Sequence, residues 1–275
     1  MSNTVIATLG SSLLLVLLIT ALAFKLRKWV KNLSSELAVV RKELLALKTS
    51  IVDPDSHLSK TINNAALESV NATCLAPLGL KFPVFLGGWS IDTFLGRWLI
   101  QHILETRPKC IVELGSGSST ILIARALDLI GAGEVTHIAV DHEKKYLDLT
   151  HNLAELNGIA ERIEFLHCPL IFEEKYGKQW YSELEKRTAG LKIDLLLIDG
   201  PPGPLQPMSR LPAFQALMPF MNETCVVVLD DANRADEQLI AEQWVRENPS
   251  FQLHYQKEGH GVAILSRRSS PSNTI

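Results

Sequence analysis

Ile111-Val112-Glu113-Leu114-Gly115-Ser116-Gly117-Ser118-Ser119-Thr120 is the stretch on which the fold turns. A short apolar, β-branched run enters a glycine turn, and a helical pattern follows to Leu129. Gly115 and Gly117 permit positive φ and close backbone approach, and the first turn of the helix offers amides with no partner inside the helix. Such a turn holds a ligand or merely reverses the chain, and on its own it does not say which.

The next strand decides between them. Val135–Asp141 ends in an acid, 24 residues beyond Gly117, which is one βαβ step, and an acid at the end of the second strand suits the two hydroxyls of a ribose. Further strands are expected at Cys110–Leu114, Arg162–His167, Ile193–Asp199, Cys225–Asp230, Phe251–Gln256 and Gly261–Leu265, the last two forming a hairpin. Helical patterns cover Thr93–Glu105, Thr120–Leu129, His142–Leu156, Met208–Leu217 and Ala235–Asn248, with an insertion at Glu173–Arg187. The alternation predicts an α/β domain over 81–268, a doubly wound seven-stranded mostly parallel sheet with an antiparallel terminal hairpin. The turn lacks the third glycine of a dinucleotide-binding GxGxxG motif, which argues against a hydride-transferring oxidoreductase.

Two more strand ends converge on the same carboxyl edge. One ends in Asp199-Gly200-Pro201-Pro202-Gly203 and the other in Asp230-Asp231-Ala232-Asn233. Three carboxylates from adjacent strand ends suit a hard divalent cation; alternatively Asp230 or Asp231 caps the helix that follows, leaving Asp199 alone to meet a ligand. Leu86-Gly87-Gly88-Trp89-Ser90-Ile91-Asp92 is either a lid over the site or the seat of a buried Trp. Arg210 and His260 are further candidates for acceptor contacts, set against an ordinary structural or solvated role.

The N-terminal third reads differently. Val5–Phe24 carries no charge and is followed by Lys25, Arg27, Lys28 and Lys31, so a transmembrane anchor is expected over 1–24, single-pass, with the catalytic domain on the cytoplasmic side. A cleaved signal peptide, with Ala21-Leu22-Ala23 at its end, is the competing reading. Val30, Leu33, Leu37, Val40, Leu44, Leu47 and Ile51 make a heptad seam, flanked by Glu36 with Arg41 and Glu43 with Lys48. That predicts a coiled-coil helix over 25–52 that either pairs two chains through residues 30–51 or docks on its own domain. Residues 53–80 are expected to be a linker with a helix near Lys60–Val70, and 269–275 a disordered tail.

Composition narrows the function classes. With 275 residues, 47% hydrophobic, 21% charged and a net charge of −3, the chain has material for a large core and no basic excess of the kind that nucleic acid selects. Cys74, Cys110, Cys168 and Cys225 lack paired spacing and read as reduced thiols.

Taken together, VELGSGSST and Asp141 resemble the class I S-adenosylmethionine-dependent methyltransferases, over roughly residues 81–266. The resemblance implies that Gly115, Ser116, Gly117 and Ser118 lie against the methionine part of that cofactor. It also implies that Glu113 orients the loop and the cofactor's amino group, that Asp141 holds the ribose, and that His142 sits beside the adenosine. At Asp199 and Asp230-Asp231 the chain is similar to the metal-dependent catechol-type O-methyltransferases, although Asp231 stands where they have an amide. This implies Asp199 and Asp230 as catalytic residues, Asp199, Asp230 and Asp231 as ligands of Mg2+, and transfer to an oxygen of a small-molecule, glycan or lipid-linked acceptor. A non-catalytic scaffold protein in a membrane complex is the rival reading.

Overall fold

The computed structural model describes residues 2–52 and 57–268, with side chains described over 20–49 and 60–268. The chain divides into two compact units, residues 1–65 and 66–275.

In the larger unit the strands are β1 (Cys110–Leu114), β2 (Thr136–Asp141), β3 (Glu164–His167), β4 (Leu170–Glu173), β5 (Lys178–Tyr181), β6 (Ile193–Ile198), β7 (Met221–Leu229), β8 (Phe251–Gln256) and β9 (Val262–Arg267). Seven of them form one sheet in the order β3-β2-β1-β6-β7-β9-β8. β3, β2, β1, β6 and β7 run parallel, and β9 runs against both β7 and β8. The expected sheet and terminal hairpin are therefore present. The insertion after β3 folds as a separate antiparallel hairpin, β4 with β5, in place of sheet-extending structure.

Side chains alternate along each strand and feed two cores. Ile111, Leu195, Leu197 and Val228 pack with Leu95, Leu99 and Ile103 of α3 (Thr93–Thr106) and Leu122 and Ala126 of α4 (Ser118–Leu129). Ala139 on that face meets Ala154 of α5 (Lys144–Asn157). On the opposite face Val112, Leu114, Leu196, Ile198, Val227 and Leu229 pack with Phe214 of α7 (Pro212–Leu217) and with Ile240, Ala241 and Trp244 of α8 (Ala235–Glu247). Between β5 and β6 lies the short α6 (Leu184–Arg187), and Leu184 joins this second core with Trp180 and Tyr181 of β5. β1 and β6 are adjacent but their following helices lie on opposite faces, so a crevice opens at their carboxyl ends, where ligands of open α/β sheets bind.

The smaller unit carries α1 (Ser2–Val52) and the first half of α2 (His57–Thr73). The transmembrane helix expected over Val5–Phe24 is overturned: among the described residues no helix is long and apolar enough to cross a membrane. α1 runs unbroken through Lys25, Arg27, Lys28 and Lys31, and from residue 20 onward these cations interrupt every long apolar window. The side chains of residues 1–19 lie outside the described residues. The segment expected as a coiled-coil helix, 25–52, lies within α1. Val30, Leu33, Leu37, Val40, Leu44 and Leu47 are each 41–63% exposed along that helix. Ile51 and the tail 269–275 fall outside the described side chains.

Phe214 shows how the second core is held. Its ring stacks on Trp244 at 5.5 Å between centroids and meets Phe251 edge-on at 5.0 Å. Phe214→Ala should lower unfolding free energy by about 3–5 kcal/mol, because buried aromatic truncation leaves a cavity that the two neighbouring rings cannot fill. Urea unfolding of the full chain, followed by circular dichroism, measures this.

Candidate active site

Backbone hydrogen bonds fix where the strand ends lie. Gly115 N donates to Val140 O at 2.8 Å, Asp199 N to Leu114 O at 2.8 Å and Asp230 N to Ile198 O at 3.0 Å. Gly115, Asp141, Asp199 and Asp230 are thereby brought to one edge. Only Gly115 uses the left-handed region, at φ +99°, while Gly117 is extended. A Cβ on Gly115 would lie 3.2 Å from the Asp199 backbone, whereas one on Gly117 would meet nothing within 4 Å. The first glycine thus serves packing between loops, and the second opens space at the N-terminus of α4, where Gly117 N donates to Thr120 Oγ1. That space is a cradle for a ligand bearing a carboxylate or other acceptor atoms.

Asp141 closes one wall. Its Oδ2 accepts from Ser116 N at 3.2 Å and Ser116 Oγ at 2.8 Å, and its Oδ1 from Glu143 N at 3.0 Å. Burial alone would raise its pKa, but hydrogen bonds from His142, the Glu143 amide and Ser116 outweigh it and hold the carboxyl below the ordinary range. It is a fixed anion with lone pairs remaining for a ligand's hydroxyls. His142 sits against it at 3.4 Å.

The other expected residues divide. Glu113 is fully buried and bonds His137 Nε2 at 2.5 Å, leaving its Oε2 without a partner. It braces β1 against β2 beneath the turn rather than lining the crevice. Ser118 is buried too, and its Oγ donates to Phe85 O at 2.6 Å, latching the preceding loop to α4. That loop presents Phe85 and Trp89, 82% and 87% exposed, so Trp89 is no buried structural residue. Asp92 ends the loop, capping α3 through Leu95 N and accepting His260 N at 2.6 Å.

The acidic edge is organised around Arg210, one of the further candidates in the sequence. Arg210, 2% exposed, donates from Nη2 to Asp199 Oδ1 at 3.1 Å and to Asp231 Oδ2 at 3.0 Å. Its Nε reaches Pro201 O, and its Nη1 reaches Asp230 O with Glu237 Oε1 3.9 Å away. Arg234 adds a second contact to Asp231 at 2.7 Å. Asp199 keeps 22% of its side-chain surface open, and burial, only partly offset by Arg210, raises its pKa to about 7. Asp230 is pushed well above the carboxylate range, first by burial and then by Asp199 and Asp231. Asp231 holds a left-handed φ of 62°, uncommon outside glycine, and its amide bonds Asp230 Oδ1 at 2.7 Å.

The three carboxylates expected to hold Mg2+ do not form one ligand set. The group whose ligand atoms lie within 4.8 Å of one another is Asp230, Asp231 and His260, without Asp199. The oxygens of Asp199 and Asp231 converge instead on a guanidinium nitrogen at hydrogen-bond lengths, where Mg2+ would need about 2.1 Å. The triad of acids does not fit a metal.

Comparison with known proteins agrees with this architecture. No functionally curated protein matches the chain. Among solved structures, the methyltransferase PaMTH1 of Podospora anserina, bound to SAH, superposes with a TM-score of 0.51 at 12% identity, covering 66% of this chain and 81% of its own. An O-methyltransferase from Bacillus cereus in complex with SAH gives 0.51 at 14%, covering 80% and 94%. TomG, an O-methyltransferase of Streptomyces achromogenes in complex with SAM, gives 0.51 at 13%, covering 74% and 89%. At these identities the likeness is one of fold. Residues 112–232, from the middle of β1 through Asp230-Asp231-Ala232, match the family model described as a methyltransferase domain, on a seven-stranded sheet of Rossmann-like order.

Proposed function

We propose that this domain takes a methyl group from S-adenosylmethionine and delivers it to the hydroxyl oxygen of a small-molecule acceptor, with Asp199 as the base. The observation that carries the reading is the placement of Asp199. One carboxylate oxygen is held by Arg210, the other accepts no hydrogen bond from a described residue, and the group lies one strand away from the Gly117 cradle. The solved structures that bind SAM or SAH on this fold support the choice of cofactor.

Each residue has a distinct task. The amides at the start of α4 and the open space at Gly117 receive the amino-acid end of the cofactor, and Asp141 takes the ribose hydroxyls. The cofactor supplies an electrophilic methyl on a sulfonium, whose carbon–sulfur bond breaks with its electron pair going to sulfur. Asp199 accepts the acceptor's hydroxyl proton as the oxygen forms its bond to carbon. A carboxyl with a pKa near neutrality suits this task, since it is ionised often enough to act and basic enough to hold the proton. Arg210 holds Asp199 in orientation, and positioning of this kind supplies much of the barrier reduction in a two-substrate displacement.

Calorimetric titration of S-adenosylmethionine into the full chain should show one site, and Asp141→Ala should weaken it tenfold or more with the circular dichroism spectrum unchanged. Absence of heat in the native chain would remove the enzymatic reading.

Asp199 also predicts a pH dependence that needs no acceptor. Its folded pKa, about 7, lies above the ordinary value of 3.8, so its contribution to stability is fully present below the unfolded value and is lost as pH rises through about 7. Asp199→Asn should remove that loss, giving melting temperatures that fall less than those of the native chain between pH 5 and 8. Parallel curves for the two proteins would contradict the assignment.

A further inference from the structure

The strand ends of β6 and β7 and the first turn of α8 bring four carboxylates together: Asp199, Asp230, Asp231 and Glu237. A hard dication is one solution to such crowding. This chain contains another. Arg210 enters from the loop between β6 and α7, and its buried guanidinium makes five hydrogen bonds, to the carbonyls of Asp199, Pro201 and Asp230 and to the carboxylates of Asp199 and Asp231.

We propose that Arg210 is the resident cation of this edge, holding Asp199 and Asp231 in the convergent arrangement that a divalent metal would otherwise impose, so that the domain works without one. The inference rests on the assignment of Asp199 to the reacting hydroxyl for its catalytic meaning, but its structural content is independent of it. Asp199 Oδ1 and Asp231 Oδ2 lie at 3.1 and 3.0 Å from the same nitrogen, so the point where a shared ion would sit is filled by protein. The remaining group of Asp230, Asp231 and His260 shares Asp231, whose Oδ2 already receives both Arg210 and Arg234, while Asp230 Oδ1 receives the Asp231 amide. An ion there would lie against two guanidinium groups with half of its carboxylate oxygens spent. A guanidinium also differs from a metal in being directional: its Nη2 donates to one oxygen of each carboxylate, and Asp199 Oδ2 accepts no hydrogen bond from a described residue.

Mn2+ provides the probe. In the full native chain, titration followed by electron paramagnetic resonance should show no site tighter than millimolar. S-adenosylmethionine affinity, measured by calorimetry, should change less than twofold when EDTA is added. Arg210→Gln removes the cation while keeping polar bulk, and should bind Mn2+ at least tenfold more tightly than the native chain; Asp199→Asn on that background should abolish the gain. A single Mn2+ bound tightly by the native chain and lost in Asp230→Asn would overturn the proposal, as would a folded Arg210→Gln variant that binds no more Mn2+ than native. Should Arg210→Gln fail to fold, the native titration alone decides. A native chain that binds no S-adenosylmethionine would strike at the cofactor reading and leave the Mn2+ result standing on its own.

Discussion

The site depends on the shared register of β2, β1, β6 and β7. Because each strand hands its terminal carbonyl to the next residue of its neighbour, Val140 to Gly115, Leu114 to Asp199 and Ile198 to Asp230, four loops leave the sheet at one level. Register in a parallel sheet buried on both faces is strictly specified, since a slip of one residue would turn each strand's inward side chains to the wrong core. Residues scattered from 113 to 231 therefore become neighbours through backbone geometry before any side chain is considered.

That constraint is also why so much was legible in the sequence. Continuous apolar runs such as Leu195-Leu196-Leu197-Ile198 announce strands buried on both faces, and the residue that ends each run is automatically at the ligand edge. Asp141, Asp199 and Asp230 are legible that way, and the glycine turn by its own chemistry. What could not be read is how side chains at that edge partner one another. Glu113 looks like a ligand residue until β2 places His137 against it, a pairing between adjacent strands that spacing along the chain does not reveal. Arg210 sits in a proline-rich loop with no periodicity, and nothing local says that it turns inward. The signal that was available is one of charge: an edge with three aspartates needs a cation, and Arg210 is the first arginine after Asp199.

The N-terminal reading failed for a different reason. An uncharged stretch followed by basic residues looks like a span with its flank, but the element in the structure is one helix that continues through the flank and beyond it. Local composition gave the helix. Whether a helix face is covered is decided by partners, and the sequence of one chain contains only half of that information.

Gly115 has an implication that reaches past packing. A Cβ there would lie 3.2–3.3 Å from the carbonyl of Asp199 and the amide of Gly200, so the loop after β1 and the loop after β6 leave no room for a side chain between them. A displacement of the first loop by whatever seats itself there would press on the second, so the two halves of the crevice would be felt together. Two substrates meeting there would sense each other through two peptide planes in contact, and by reciprocity each would alter the other's affinity by the same factor. Cooperativity between donor and acceptor would then need no moving domain and no relay of side chains.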